Sequence, residues 1–250
     1  MCGRYAITLP PEALRAIFRY VEQPNFPPRY NIAPTQPVPI VHMTLEPDGT
    51  RARHLTLVRW GFLPGFVKDP KDFPLVINAR AETLADKPSF RTALRHRRCI
   101  FIADAFYEWK RRPGKISKPF LIRRADHAPM AMAGLWETWM GPNGEETDSA
   151  CIITTDANGP ISAIHHRMPV ILEPENFDAW LDPLNGDVDE MLALAKPAAD
   201  DVLEFFEIST AVNRVSNDSA DIQLPSTSDD DAPEPKKARV KKTSAQGSLF

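Results

Sequence analysis

Residues 99–109 of the chain are CIFIADAFYEW, and this stretch decides the fold class. Its side chains are apolar except for those of Asp104 and Glu108, and charged residues follow it. A short apolar or alternating run that is bounded by charged residues is typical of a β-strand buried in a sheet. The stretch therefore predicts strand structure.

Runs of the same kind recur along the chain, and Pro, Gly and charged turns separate them. They are VPIVHM, RHLTLVRWGF, PLVINAR, KPFLIRR, MAMAGLWETW, ACIITTDA, MPVIL and FEISTAV. Strands therefore dominate the predicted structure, and no internal repeat is visible.

Three segments have helical character. In TLPPEALRAIFRY, residues 8–20, Thr8 can cap a helix on which Leu14, Ile17 and Phe18 share one face. The other two predicted helices are PENFDAWLD and DVDEMLALAKPA, late in the chain. This mixed order predicts an α+β domain over residues 1–224, with a curved, mainly antiparallel β-sheet or barrel-like core and flanking helices.

Composition narrows the class of protein. The chain has 250 residues, of which 43% are hydrophobic, so it can fill a sizeable core. Cys2, Cys99 and Cys151 lie far apart and form no CxxC pair, so we expect neither a disulfide framework nor a zinc site, and no cofactor. No signal peptide and no apolar run of roughly 20 residues is present, so we expect a reduced, cytoplasmic protein without a membrane partner.

The formal net charge is −3, but the charge is unevenly distributed. Residues 91–124 contain eleven Lys or Arg residues against two acids, Asp104 and Glu108. This basic stretch is consistent with a phosphate-binding face, and equally with an ordinary solvated surface.

The second residue carries unusual chemistry. Removal of Met1 would leave Cys2 with a free α-amine beside its thiol, two groups whose ordinary pKa values are about 8 and about 8.5. The amine condenses with an aldehyde to an imine, and the thiolate then closes a five-membered thiazolidine. The pair suits aldehyde capture, and it would also serve as an N-terminal nucleophile in amide hydrolysis. Because Cys2 precedes any predicted core strand, we do not expect it to be an ordinary buried cysteine.

Seven motifs follow one another in an order that resembles the SOS response-associated peptidase (SRAP) family, also known as abasic-site processing proteins. They are MCGRY at 1–5, NIAPTQ at 31–36, RWGFLP at 59–64, INARAET at 77–83, AFYEW at 105–109, IHHRMPV at 164–170 and STAVN at 209–213. The resemblance spans residues 2–224. It implies a β-barrel-like core with flanking helices.

The resemblance also implies a function. Members of the family sense abasic sites in single-stranded DNA and join their N-terminal cysteine to the opened sugar as a thiazolidine. The crosslink shields the lesion, and members are credited with removing their own initiator methionine and with reversing the crosslink. Two alternatives stay open: a thiol peptidase that acts on proteins, and a non-catalytic adaptor that binds single-stranded DNA.

The motifs imply four catalytic residues. Cys2 matches the nucleophile, and Asn78 matches an asparagine that hydrogen-bonds near the reacting sugar. Glu108 matches the catalytic glutamate, which moves protons during imine formation. His165, rather than the neighbouring His166, matches the histidine that protonates the sugar oxygen, and an extended backbone would turn the two rings to opposite faces.

Six further residues are predicted to bind DNA. Arginines would hold phosphates, the proline would wedge against unpaired bases, and tryptophans would stack on them. An ion pair of Arg80 with Glu82 is the structural alternative for that arginine. The six residues are Arg4, Pro34, Trp60, Arg80, Trp109 and Arg167.

The composition changes at Pro225. Residues 225–250 contain almost no core-forming side chains before the last two, so we expect a disordered tail. The final QGSLF resembles the peptide by which bacterial repair proteins dock into the DNA polymerase sliding clamp, with Gln246, Leu249 and Phe250 as its contacts. We therefore expect abasic single-stranded DNA and the clamp as partners of a monomeric protein associated with the nucleoid.

Overall fold

The chain forms two β-sheets flanked by short helices in the computed structural model, which describes residues 2–114 and 116–226. The strands are β1 (Tyr5–Ile7), β2 (Arg29–Ile32), β3 (Pro37–Leu45), β4 (Arg51–Trp60), β5 (Asn78–Arg80), β6 (Arg98–Ala103), β7 (Ala105–Lys110), β8 (Lys118–Arg124), β9 (Met130–Met140), β10 (Glu146–Asp156), β11 (Arg167–Pro169), β12 (Ile171–Leu172) and β13 (Leu203–Glu207). The α-helices are α1 (Pro11–Phe18), α2 (Pro88–His96), α3 (Gly159–Ser162), α4 (Phe177–Leu181) and α5 (Val188–Leu194).

Five strands close into a barrel in the order β10, β4, β3, β6, β9 and back to β10. Every pairing in this ring is antiparallel except the parallel pair of β4 with β10. Closure removes the exposed sheet edges. Beyond β4 and β9, the end of β10 continues to pair with the short strands β5 and β11. These two strands carry the INAR and RMP motifs to one end of the barrel.

The second sheet is antiparallel, in the order β13, β8, β7, β1, β2. Its strands β1 and β7 lie side by side, with Tyr5 opposite Phe106. This pairing aligns the MCGRY motif with the AFYEW motif. The predicted α+β class, with a curved, mainly antiparallel core and flanking helices, is confirmed.

The opening stretch CIFIADAFYEW joins the two sheets. It forms two strands rather than one, because β6 lies in the barrel and β7 in the second sheet, with Asp104 between them. The Asp104 carboxylate accepts hydrogen bonds from the backbone N–H and the hydroxyl of Thr8 and from the N–H of Leu9. A continuous apolar run does not reveal this division, since both strands are buried.

Several local predictions were wrong. Thr8 does not cap α1, because its hydroxyl binds Asp104 instead, and Ile17 on that helix is 40% exposed while Leu14 and Phe18 are buried. Of the run PLVINAR only Asn78–Arg80 is a strand. The late helices were confirmed as α4 and α5, whereas α2 was not predicted.

Cations of the basic stretch make many contacts inside the fold. Arg97 pairs with Glu137 at 2.7 Å, and Lys118 with Glu207 at 2.9 Å. Arg98 is buried, and within the described part of the chain it donates hydrogen bonds only to backbone carbonyls, those of Leu94, Arg95, Trp180, Asp182 and Asn185. The stretch is therefore not one continuous phosphate-binding face, although Lys110 and Arg111 are exposed at the end of β7.

Arg98 is expected to be important for stability. Arg98→Met would leave buried carbonyls at the end of α2 and after α4 without a donor, so we expect the free energy of unfolding to fall by about 3 kcal/mol. The neighbouring Arg97→Met, which removes a half-exposed ion pair, should cost less than about 1 kcal/mol. Urea denaturation of the two variants measures both values, and equal losses would contradict the assignment.

None of the helices in the described ranges is both long and apolar enough to cross a lipid bilayer. Of the predicted tail, Pro225 and Ser226 are described: Pro225 forms a β-bridge with Ile208, and the Ser226 N–H donates to the Glu207 carbonyl. The remainder of the predicted tail, including Gln246, Leu249 and Phe250, lies outside the described residues.

Candidate active site

The four predicted catalytic residues come together from four parts of the chain. Cys2 precedes β1, Asn78 begins β5, Glu108 lies in β7, and His165 precedes β11. The Asn78 amide Nδ2 donates to the Cys2 carbonyl at 2.8 Å, and Glu108 Oε1 lies 4.0 Å from His165 Nδ1. The charge of Glu108 also acts on the Cys2 thiol. The second sheet supplies Glu108, and strands at the end of the barrel supply Asn78 and His165.

Cys2 is fully buried, contrary to our expectation. Burial, and secondly the negative charge of Glu108, raise the pKa of its thiol well above the usual range. The thiol is therefore neutral at pH 7. It needs a base before it can act as a nucleophile.

Glu108 is aligned with the start of the chain by the β1–β7 pairing. Tyr5 lies opposite Phe106, and the Tyr107 N–H donates to the Arg4 carbonyl at 3.0 Å. Because the strands are antiparallel, this register brings residues 2 and 3 to the level of Glu108. The Glu108 side chain is only 5% exposed, so its carboxylate acts in a largely desolvated setting.

His165 follows the short helix α3, which the Asn158 side chain caps by accepting from the Ile161 N–H. Burial lowers the pKa of His165, and the nearby charge of Glu108 partly opposes this shift. The ring is therefore neutral at pH 7. His166 is exposed and stacks on His165 with the ring centroids 4.4 Å apart, so the two rings do not point to opposite faces as predicted.

Asn78 is held by the parallel pairing of β5 with β10, where it lies opposite Ile152. While its Nδ2 donates to the Cys2 carbonyl, its buried Oδ1 accepts no hydrogen bond from the described residues. A buried acceptor of this kind gains from a hydroxyl donor on a bound molecule.

Two of the predicted DNA-binding residues contact each other. The Arg4 guanidinium lies 5.7 Å from the centre of the Trp109 ring and donates to the Asn31 amide oxygen at 2.6 Å. Trp109 Nε1–H donates to Asn213 at 2.7 Å. Burial lowers the pKa of Arg4 from its usual value. The NIAP and STAVN motifs thus hold the arginine and the tryptophan in place.

The other four predicted DNA-binding residues differ in exposure. Arg80 is exposed and Pro34 is partly exposed. Trp60 is fully buried and donates to the Ile77 carbonyl at 3.0 Å, so it presents no ring face to a base. Arg167 is also buried, at 5% exposure, and it pairs with Glu82, which therefore is not the partner of Arg80.

An exposed aromatic residue was missed. Phe66 is 63% exposed in the loop that joins β4 to β5, and its ring packs edge-on against Phe73 at 6.5 Å. The family resemblance of the motif RWGFLP suggested Trp60 for base stacking. Nothing in the motif indicates which aromatic ring faces solvent, although the Pro and Gly residues around Phe66 are typical of a loop.

No group of three or more His, Cys, Asp or Glu side chains in residues 2–114 and 116–226 is placed to hold a metal ion.

Comparisons with known proteins give consistent results. The family model described as SOS response associated peptidase (SRAP) matches residues 1–215. The abasic site processing protein YoqW of Bacillus subtilis (strain 168) is 40% identical over 225 residues, which cover 89% of this chain and 98% of that protein. The abasic site processing protein YedK of Escherichia coli (strain K12) is 32% identical over 232 residues, covering 90% and 100%.

A solved structure has the same fold. The crystal structure of a protein from Bacteroides thetaiotaomicron superposes with a TM-score of 0.79 at 25% identity, covering 90% of this chain and 100% of that one. The family model spans the MCGRY, INARAET, AFYEW and IHHRMPV motifs whose residues meet in the candidate site. The chain belongs to the SOS response-associated peptidase (SRAP) family.

Proposed function

We propose that this protein processes abasic sites in single-stranded DNA by joining Cys2, after removal of Met1, to the opened sugar. The observation that carries the proposal is the meeting of Cys2, Asn78 and the Glu108–His165 pair at one place. Relatives that align over most of this chain are named abasic site processing proteins, which supports the same substrate here.

Thiazolidine formation joins the protein to the DNA and releases one molecule of water. The α-amine of Cys2 adds to the C1′ aldehyde of the opened sugar, and the resulting carbinolamine loses its hydroxyl as water to form an imine. The thiol then adds to the imine carbon, forming the S–C bond, while its proton passes to the nitrogen. The product is a thiazolidine whose ring contains the α-nitrogen and the sulfur of Cys2.

The buried thiol defines the role of Glu108. Because its pKa is raised, the Cys2 thiol stays protonated until a neighbouring base accepts its proton, and the Glu108 carboxylate is close enough to perturb that thiol. Glu108 is therefore the base for ring closure and the proton carrier for loss of water. The neutral His165 donates a hydrogen bond to the sugar oxygen, and Asn78 Oδ1 accepts one from a sugar hydroxyl.

Exposed cations lie close in sequence to Asn78 and Glu108. Arg80 shares a face of β5 with Asn78, since alternate residues of a strand point the same way. Lys110, the last residue of the strand that carries Glu108, and Arg111, which follows it, are exposed. We assign phosphate contacts to Arg80, Lys110 and Arg111, and base stacking to Phe66.

Mass spectrometry of the intact protein tests the proposal. Protein that lacks Met1 should form an adduct with abasic single-stranded DNA whose mass is the sum of both molecules minus one water. The matched control is the same strand with a tetrahydrofuran analogue of the abasic sugar, which has no aldehyde and should give no adduct. Absence of the first adduct, or formation of the second, would contradict the mechanism.

We also propose that the protein removes its own Met1 and reverses the crosslink, as the family resemblance implies. Removal of its own Met1 is the peptidase activity that the family name describes, and reversal of the crosslink would run through Glu108 and His165. Clamp contact through the last residues, nucleoid association and a monomeric state stay predictions from the sequence.

A further inference from the structure

Arg167 is two residues from His165, and its guanidinium is engaged by two carboxylates and a backbone carbonyl. Its Nη1 donates to Glu82 Oε1 at 2.9 Å and to Asp156 Oδ1 at 2.6 Å. Its Nη2 donates to Glu82 Oε2 at 2.9 Å and to the Thr154 carbonyl at 2.6 Å. The four terminal N–H groups are thus engaged, with a bidentate pair to Glu82; Arg167 is buried, whereas the Glu82 and Asp156 side chains are 44% and 79% exposed.

This arrangement locks three segments together. Glu82 follows β5, Asp156 and Thr154 end β10, and Arg167 begins β11. The strands are already paired, with Asp156 opposite Arg167. The side-chain contacts across them fix the backbone of residue 167 as well as its guanidinium.

The backbone of Arg167 contacts the catalytic histidine. The Arg167 N–H donates to His165 Nδ1 at 3.0 Å, and the Arg167 carbonyl lies 3.2 Å from the same nitrogen. A backbone N–H can only donate, so the 3.0 Å contact requires an unprotonated Nδ1, whereas the carbonyl at 3.2 Å would accept from a protonated Nδ1. The shorter contact favours the neutral ring in which Nδ1 is the acceptor and Nε2 carries the proton.

We propose that Arg167, held by Glu82 and Asp156, is a positioning residue that fixes His165 in the tautomer with the proton on Nε2. The proposal rests on the proposed function only where it concerns crosslinking. It gives His165 Nε2–H as the hydrogen-bond donor to the sugar oxygen. His165 Nδ1 accepts from the Arg167 N–H, and it lies 4.0 Å from Glu108 Oε1. The other ring nitrogen, Nε2, is then the one that donates to the substrate, so Glu108 and His165 act on different substrate atoms.

The charges argue against a phosphate contact for Arg167. One guanidinium faces the two carboxylates of Glu82 and Asp156, which leaves a local charge of −1. The interaction with Arg167 lowers the pKa of Glu82, so this carboxylate stays ionised at pH 7. A phosphate at this position would meet two carboxylates and four terminal N–H groups that are already engaged. Nε is the one guanidinium N–H without a partner among the described residues, and it is buried.

The first experiment needs no DNA. Long-range ¹H–¹⁵N spectra of the ¹⁵N-histidine-labelled protein at pH 7.5 distinguish protonated from unprotonated ring nitrogens, and the His165→Gln spectrum assigns the signal. We expect an unprotonated Nδ1 and a protonated Nε2 for His165. The opposite pattern would overturn the proposal. Because no crosslink is needed, this result is independent of the proposed function.

The second experiment compares two arginine variants on single-stranded DNA. Arg167→Gln should lower the crosslinking rate at saturating abasic DNA by about 10- to 100-fold, because the donor is misplaced. The affinity of Arg167→Gln for intact single strands should depend on salt concentration as that of the unmodified protein does. Arg80→Gln should instead reduce the slope of log affinity against log salt by about 0.7, as expected for one lost phosphate contact.

The result for Arg167→Gln decides between the two roles. An unchanged saturated rate together with a reduced salt slope would make Arg167 a phosphate ligand and overturn the proposal. Glu82→Gln keeps Arg167 itself and should shift the His165 nitrogen signals toward a mixture of tautomers. Unaltered signals in that variant would also contradict the positioning role.

Discussion

Replacing Cys2 with serine is expected to reduce the stable DNA adduct to below detection. Serine keeps the α-amine and a small side chain, but its hydroxyl is a poor nucleophile near neutral pH, so the five-membered ring does not close. The imine with the amine should still form. Borohydride reduction should therefore trap a covalent product with Cys2→Ser, whereas the untreated sample should show none on a denaturing gel.

The matched control for this variant is Cys151→Ser. Cys151 is also buried, in β10, but it lies in the barrel core and contributes nothing to the proposed chemistry. Its variant should crosslink at the rate of the unmodified protein once folding has been verified. A stable adduct from Cys2→Ser without reduction, at an undiminished yield, would show that sulfur is not required.

The second large effect is expected from Glu108→Gln. The amide has the shape of the carboxylate but cannot accept the thiol proton, so the crosslinking rate at pH 7 should fall by roughly 1,000-fold. An opposing effect is present, since the charge of Glu108 raises the pKa of the Cys2 thiol and its loss would ease ionisation. The loss of the base dominates, because burial is the larger cause of the raised pKa and remains in the variant.

The pH dependence checks this explanation. As the pH rises, solvent hydroxide can ionise the thiol without Glu108, so the deficit of Glu108→Gln should shrink between pH 7 and pH 9. Single-turnover rates with quenched samples measure it. The control is Glu46→Gln, one residue beyond the end of β3, which should retain the crosslinking rate of the unmodified protein. A deficit that is constant with pH would assign Glu108 a role other than accepting the thiol proton.

The motifs predicted four reacting groups, and the structure brings these four side chains together. The positions of Cys2, Asn78, Glu108 and His165 came from short sequences in which the residue type itself carries the chemistry. Their meeting follows from pairings of β1 with β7 and of β5 and β11 with β10. The register of strand pairing cannot be derived from the motifs, so they indicated the four residues but not the distances between their side chains.

Burial was the main source of error. Cys2 was expected outside the core and is fully buried, and Trp60 was expected to meet DNA but contacts the Ile77 carbonyl. Exposure depends on what packs against a side chain from distant parts of the chain. The exposed Phe66, six residues after Trp60, could not be preferred on residue type.

The chain by its residues alone determined the α+β class and named four candidate reacting side chains, because apolar periodicity and functional groups are local properties. Only the tertiary structure decided where Asp104 divides the central run between two sheets, and which arginine faces solvent. Arg80 and Arg167 have the same side chain, yet one is exposed and the other is neutralised by Glu82 and Asp156. The physical reason is that burial and electrostatic pairing depend on distances between segments, which strand pairing sets and sequence spacing does not.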